Sequence, residues 1–286
     1  MTPVSSPSRF GRGGEERAGV GHALTPYLSM LSARFRMGLQ YRSAAFAGLC
    51  TQLFWGMIRI MIFTAFYRST THAQSMTLSD TTTYVWLGQA MFALLPWQVD
   101  TEVQSMIKTG TVAYEMLRPV DIYWLWFSRA LAQRIAPTVL RAVPMLTVAA
   151  LLLHLKPPAT WQCGLAWVTS TILAAVLGSA ISALMTISLL WTISGDGVSR
   201  LLPAIAYTLS GMDVPLVFFP AWSQSLLFAL PFRDLVDLPF RLYLGKFAMS
   251  EWPALFGQEL AWIAALVLLG RFLLAIGRRR LVLQGG

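Results

Sequence analysis

Four polar side chains stand inside long apolar runs of this 286-residue sequence: Arg59, Gln89, Gln98 and Asp213. A charge at the centre of a bilayer costs about 2.5 kcal/mol or more, so such groups face protein or a wet pathway and mark where polar matter passes. Arg59 either lines a pathway or pairs with another helix. Asp213 is the one candidate carboxylate. It lies toward the outer end of its run, where it either meets water at an outer mouth or pairs with an arginine such as Arg233 or Arg241. Bond-making chemistry has no comparable constellation. The phosphate-cradling pattern GxxxxGK[ST] is absent, because Gly245-Lys246 lacks both the upstream Gly and the following Ser or Thr. His22, His72 and His154 are scattered, and no HExxH or close His/Cys cluster offers metal ligands. Cys50 and Cys163 sit in or beside apolar runs, where packing explains them better than a disulfide. The sequence therefore predicts no catalytic residue, no metal and no cofactor on this chain.

The elements that must hold these groups follow from composition and period. Hydrophobic residues make up 56% of the chain and charged residues 12%, about half the charge of a soluble domain. The mean hydropathy is +0.57. The fold class is an all-α integral membrane protein, and six apolar runs are long enough to cross a bilayer. They cover about 44–66, 82–99, 136–153 (the third helix starting earlier, at Ile122), 162–191, 201–219 and 253–276. Residues 1–24, rich in Ser, Gly, Pro and Arg, read as a disordered cytoplasmic tail, and 25–286 as one transmembrane domain. From Thr25 an amphipathic helix lies in the interface, with Leu28, Leu31, Phe35 and Leu39 on one face. The fourth run is rich in small residues, including Ala174, Gly178, Ser182 and Ala183, which let helices approach closely.

Two stretches break the pattern. Residues 101–121 are the longest polar interruption on the side that also carries the N-terminus. Val103, Met106 and Ile107 share one face of a short helix. Gly110 stops it, a second stripe of Val112, Ala113, Met116 and Leu117 follows, and Pro119 ends that one. Two short amphipathic helices at a membrane face make either a docking surface, with Lys108, Glu115 and Arg118 as its charges, or an ordinary interfacial loop. Residues 220–251 are too broken to span and too apolar to be a solvated loop. They read as two short helices that dip into the outer leaflet and return, bounded by Pro231 and Pro239 and packed by Phe232 and Phe240 against the fifth and sixth runs.

The net charge of +9 belongs to membrane orientation rather than to nucleic acid. Lys and Arg near the run ends place both termini in the cytoplasm. The inner set includes Arg34, Arg36, Lys108, Arg118, Arg129, Arg134, Arg200 and Arg278–Arg280; the outer set is Arg68, Lys156, Arg233, Arg241 and Lys246. Trp161, Trp222 and Trp252 mark the outer interface, and Trp97 and Trp191 the inner one.

Three segments together resemble one family. They are IKTGTVAYEMLRPVD (107–121), LSGMDVPLVFFPAW (209–222) and LPFRDLVDLPFRLYLG (230–245), in which Gly211, Pro215, Pro220, Pro231, Phe232 and Pro239 carry the outer pattern. The chain resembles the permease subunits of ABC type-2 exporters, in the branch with paired half-size six-span permeases. The resemblance implies an N-terminal interfacial helix, a coupling helix after the second span, and two re-entrant helices before the last span. It implies two copies of a nucleotide-binding ATPase subunit that hold ATP and Mg2+, docked on Val103, Met106, Ile107, Lys108, Gly110, Glu115, Leu117, Arg118 and Pro119. It further implies a second permease, identical or homologous, in a bacterial cytoplasmic membrane. Arg59, Gln89, Gly211, Asp213 and the outer prolines would border the path. Asp213 departs from the apolar residue expected between Gly211 and Pro215, which raises a polar or cationic substrate; the family exports lipids, glycans, drugs and antibiotics. The competing reading is an ion-coupled carrier of a small amphipathic or cationic compound, which calls for repeat symmetry and midplane carboxylates.

Overall fold

The structure is a computed structural model that describes residues 20–40, 42–70, 75–192 and 196–284. Among these residues the regular structure is helical throughout, in the order α1 (Val20–Gln40), α2 (Arg42–Ser69), α3 (Leu78–Met91), α4 (Thr101–Lys108), α5 (Val112–Met116), α6 (Ile122–Leu152), α7 (Trp161–Ser188), α8 (Asp196–Leu209), α9 (Ala221–Ala229), α10 (Arg233–Tyr243) and α11 (Trp252–Gln284). The helix expected from Thr25 is α1, which starts at Val20 and so overlaps the end of the expected tail; residues 1–19 lie outside the described residues. It runs along α6, where the Asp121 backbone N–H donates to the Tyr27 hydroxyl at 3.0 Å.

Among the described residues four helical segments are long and apolar enough to cross a membrane: Phe46–Ser69, Ile122–Leu152, Trp161–Ser188 and Met249–Arg278. The expected second and fifth spans hold shorter helices, α3 and α8, of 14 residues each. Such a helix covers roughly 21 Å of a hydrocarbon core about 30 Å thick. The backbone explains why. Pro96 keeps Leu95 extended (φ −64°, ψ 150°), which ends the helical path after the turn Phe92–Leu94. Beyond α8, Gly211 takes φ +84° and turns the chain away.

The centre of the bundle is α7, with 72% of its apolar window buried, against 17% in the corresponding windows of α2 and the last helix. Its small residues do what the sequence suggests: a Cβ on Gly178 would lie 2.9 Å from the Leu94 carbonyl oxygen. Helices α6, α10 and α11 all pack along it. A shared core joins Trp86 and Leu87 of α3, Met145 of α6, Leu177 and Met185 of α7 and Phe240 of α10. Ser170 of α7 donates to Glu259 of α11 at 2.7 Å inside the bundle.

The segment 220–251 does contain two short helices, α9 and α10. Every residue of α10 but Arg241 is buried; it packs mainly on α7 and α3, and its Leu238 and Leu242 meet Trp252, Leu255 and Phe256 at the start of the sixth run. Pro231 precedes α10 as expected, whereas Pro239 stands inside it. Packing on two sides holds the helix in spite of the hydrogen bond that Pro239 cannot donate. Trp262 and Gln258 of α11 donate to the Ala229 and Phe228 carbonyls at 3.0 and 2.8 Å, tying down the end of α9.

Candidate functional site

Two features concentrate polar chemistry. The first is a cavity of about 650 Å³ between α2, α8 and the turn after α3, within the usual range for small-molecule sites. Arg59 projects from α2 into it, where one arm donates to the Met212 carbonyl at 2.7 Å and the other reaches the Tyr207 hydroxyl and the Asp213 carboxylate, the latter at 3.1 Å. Tyr207 donates in turn to Asp213 at 3.2 Å. The pair is unequal: the Arg59 side chain is 13% exposed and that of Asp213 58%. So Arg59 both lines the cavity and pairs across helices, and the partner of Asp213 is Arg59, not Arg233 or Arg241.

The rest of the lining is largely aromatic. Phe92 and Trp97 lie with ring centroids 4.5 Å apart, and Tyr207 approaches Trp97 at 5.6 Å. The Trp97 indole donates to the Phe92 carbonyl at 2.8 Å, which holds this tryptophan in the cavity wall. Gln89 opens onto the same space while 2% exposed, and no described group lies within hydrogen-bond reach of either end of its amide.

The end of the cavity at Gly211 is locked to the buried helix α10. Gly211 and the turn after it are held by the Tyr84 hydroxyl, which lies 3.0 Å from the Gly211 carbonyl and 3.2 Å from Asp237 of α10. The Asp237 backbone N–H donates to the Ser210 carbonyl at 3.1 Å, and Asp237 accepts from the Leu216 N–H at 3.3 Å. A Cβ on Gly211 would sit 2.7 Å from the Tyr84 oxygen. Pro215, Pro231 and Pro239 are buried around this junction, Phe232 is half-buried, and Pro220 is exposed.

The second feature is the 101–121 loop. Asp100 caps α4 by accepting from the Glu102 and Val103 N–H groups. Gly110 (φ +75°) makes the turn, and α5 follows. Arg129 of α6, 2% exposed, gathers the loop from above: it pairs with Asp100 at 2.8 Å, Glu102 at 2.6 Å and Glu115 at 3.4 Å. Trp126 donates to the other Glu115 oxygen at 3.0 Å. Val103 and Val112 are buried against Tyr123, Trp126 and Ile187, with Met106 and Ile107 packed beside them. The first apolar stripe thus faces the bundle, whereas the second is split, with Val112 buried and Ala113 and Leu117 exposed. What faces outward is Lys108, Gly110, Tyr114, Leu117, Arg118 and Pro119, with Leu117 81% and Tyr114 74% exposed.

A family model described as ABC-2 family transporter protein matches residues 53–285. The chain belongs to the ABC-2 transporter family. No curated protein matches it. ABC-2 permeases are membrane subunits of transporters, so the loop and the cavity are features of a transport protein. This membership corrects no residue by itself, but the geometry does. Val103 and Glu115, expected on a docking surface, are buried and fasten the loop. Arg129 and Arg134, counted toward inner positive charge, are buried too: Arg134 donates to the Leu94 and Ala130 carbonyls at 3.1 and 2.6 Å and to the Ser182 hydroxyl. The signal for both was present, as cations standing within the apolar helix α6. Trp97 and Tyr207 carried no sequence signal beyond being aromatic.

Proposed function

We propose that this chain is the permease subunit of an ATP-driven exporter, powered by two separate ATPase subunits that bind ATP and Mg2+. The ATPase docks on the outward face of the α4–α5 loop. The second permease is an identical or homologous chain. In this reading six segments cross a bacterial cytoplasmic membrane, with α3 and α8 completed by the turns that follow them. The N-terminal helix α1 lies in the interface, α9 and α10 form the re-entrant outer cap, and both termini are cytoplasmic. Export, of a lipid-like, glycan or drug-like molecule, proceeds through the cavity beside Arg59, Gln89 and Asp213, under Gly211 and the outer prolines.

The observation that carries this reading is the anchoring of the loop by Arg129. A loop that must convey force cannot yield at its root, and here its root is a buried cation holding carboxylates before, within and after the first short helix. Its apolar tip, Tyr114 and Leu117, is left outward, where a soluble partner can bury it. Leu117→Asp, combined with Tyr114→Ser, is expected to abolish co-purification of the ATPase subunit while the permease keeps its elution volume and melting temperature. Undiminished recovery of the ATPase with the double variant would overturn the docking assignment.

A further inference from the structure

The chemistry of the Arg59–Asp213 cavity narrows what it can hold. Its one ion pair offers a ligand two very different partners. Arg59 is nearly covered and satisfied by the Met212 carbonyl, the Tyr207 hydroxyl and Asp213. An anion approaching Arg59 must displace Asp213 and then share the space with a carboxylate left without its partner. Asp213 is more than half exposed. A cation can approach its other carboxylate oxygen while Arg59 and Tyr207 keep Oδ1, so the buried guanidinium retains its counter-charge. Within this pair the accessible charge is the negative one.

The walls agree. Trp55, Phe92, Trp97 and Tyr207 present aromatic rings to the cavity, and ring faces attract cations most strongly where water is excluded. Arg200 also borders the space. It stands two turns before Tyr207 on α8, roughly 10 Å along the axis, so it repels a cation from one end and leaves the Asp213 end favourable. The Gln89 amide, buried and without a described partner, supplies one acceptor and two donors to orient a polar substituent.

We propose that this cavity binds amphipathic organic cations with an aromatic body, their charge at Asp213 and their rings against Trp97 and Tyr207. The proposal rests on the cavity being the substrate passage, but it concerns binding to this chain alone.

The test uses the full chain in lipid nanodiscs and two probes of matched shape and opposite charge, tetraphenylphosphonium and tetraphenylborate, with binding to empty nanodiscs subtracted. Phosphonium is expected to saturate one site and to bind at least about ten-fold more tightly than borate. Asp213→Asn should weaken phosphonium about ten-fold or more, and Asp213→Glu should restore most of that loss. Trp97→Leu should weaken it separately. Borate binding as tightly as phosphonium, phosphonium binding indifferent to Asp213→Asn, or failure of Asp213→Glu to recover what Asp213→Asn loses would each overturn the proposal. Phosphonium binding without ATP-driven transport in any assembled complex would overturn the exporter reading and leave this one standing. ATP-driven transport of other solutes, without phosphonium binding, would do the reverse.

Discussion

Arg129 collects charges that the sequence keeps apart, at positions 100, 102 and 115, and it does so with almost no exposure to solvent. Truncating one member of a buried ionic network leaves the others desolvated without compensation, which costs about 3–5 kcal/mol. Arg129→Ala is therefore expected to lower the melting temperature sharply and to release the loop to proteolysis, while Arg118→Ala, on the exposed side, leaves both unchanged. A melt of Arg129→Ala that matches the parent protein would remove the anchor from the mechanism. Glu115→Arg behaves like the anchor mutant, because it sets a second guanidinium against Arg129. The sequence showed the stripe of Val112, Ala113, Met116 and Leu117 but not that only Val112 and Met116 turn inward beside Glu115: helical period identifies a face, and only the neighbouring helix decides whether that face is covered. Asp80, at the outer end of α3, makes a second clamp. Burial pushes its carboxyl up, yet hydrogen bonds from Lys156 and Lys246, at 2.8 and 2.7 Å, outweigh it and hold the group well below the usual carboxylate range. A depressed carboxyl stabilises fully above its unfolded pKa of about 3.9 and loses that contribution as pH falls toward the folded value. Asp80→Asn should thus lower the melting temperature at pH 7, and the gap to the parent should narrow below about pH 4; a gap independent of pH would show that the clamp is not electrostatic.

At the scale of elements, the turn after α8 is the joint between the cavity and the buried helix α10. Tyr84 from α3 and Asp237 from α10 grip the backbone on either side of Gly211. Gly211→Ala adds a left-handed penalty of about 1–2 kcal/mol and also drives a methyl into the Tyr84 oxygen, 2.7 Å away. The expected result is faster hydrogen exchange in α10 as well as in the turn. Faster exchange confined to 209–213 would show that the joint does not transmit. Much of this architecture was legible. The short helices α4, α5, α9 and α10 follow from Gly110, Pro119, Pro220 and Pro231, because proline and glycine act on the backbone directly. The helices within the second and fifth runs end sooner than hydropathy suggests for a related reason: hydropathy stays high through Leu94, Leu95, Val214 and Phe218, although Pro96 and Gly211 have already redirected the chain. The junction of Tyr84 with Asp237 joins residues 153 positions apart and left no local trace.

For the whole molecule, the proposed orientation rests on the distribution of cations. Of the outer set, Lys156 and Lys246 share the single Asp80 carboxylate, Arg241 pairs with Asp237 at 3.4 Å, Arg233 is buried and Arg68 is exposed. On the opposite face Lys108, Arg118 and Arg278 are exposed near the ends of helices. In the proposed orientation the α4–α5 loop is cytoplasmic and α9 lies on the outer side. The side chains that report on it are well presented, since Trp222 is 83% and Leu117 81% exposed; His72 and Gly286, two further markers in the sequence, lie outside the described residues. The background is easily cleared, because the free cysteines are the exposed Cys50 and the buried Cys163. On that background, Trp222→Cys should react with a membrane-impermeant maleimide in intact cells. Leu117→Cys and Gly110→Cys should react only after permeabilisation, and purified ATPase subunit should then shield Leu117→Cys from the reagent. Labelling of position 110 or 117 in intact cells would invert the molecule, carry the docking face to the outside of the cell and leave no cytoplasmic surface for an ATPase to drive.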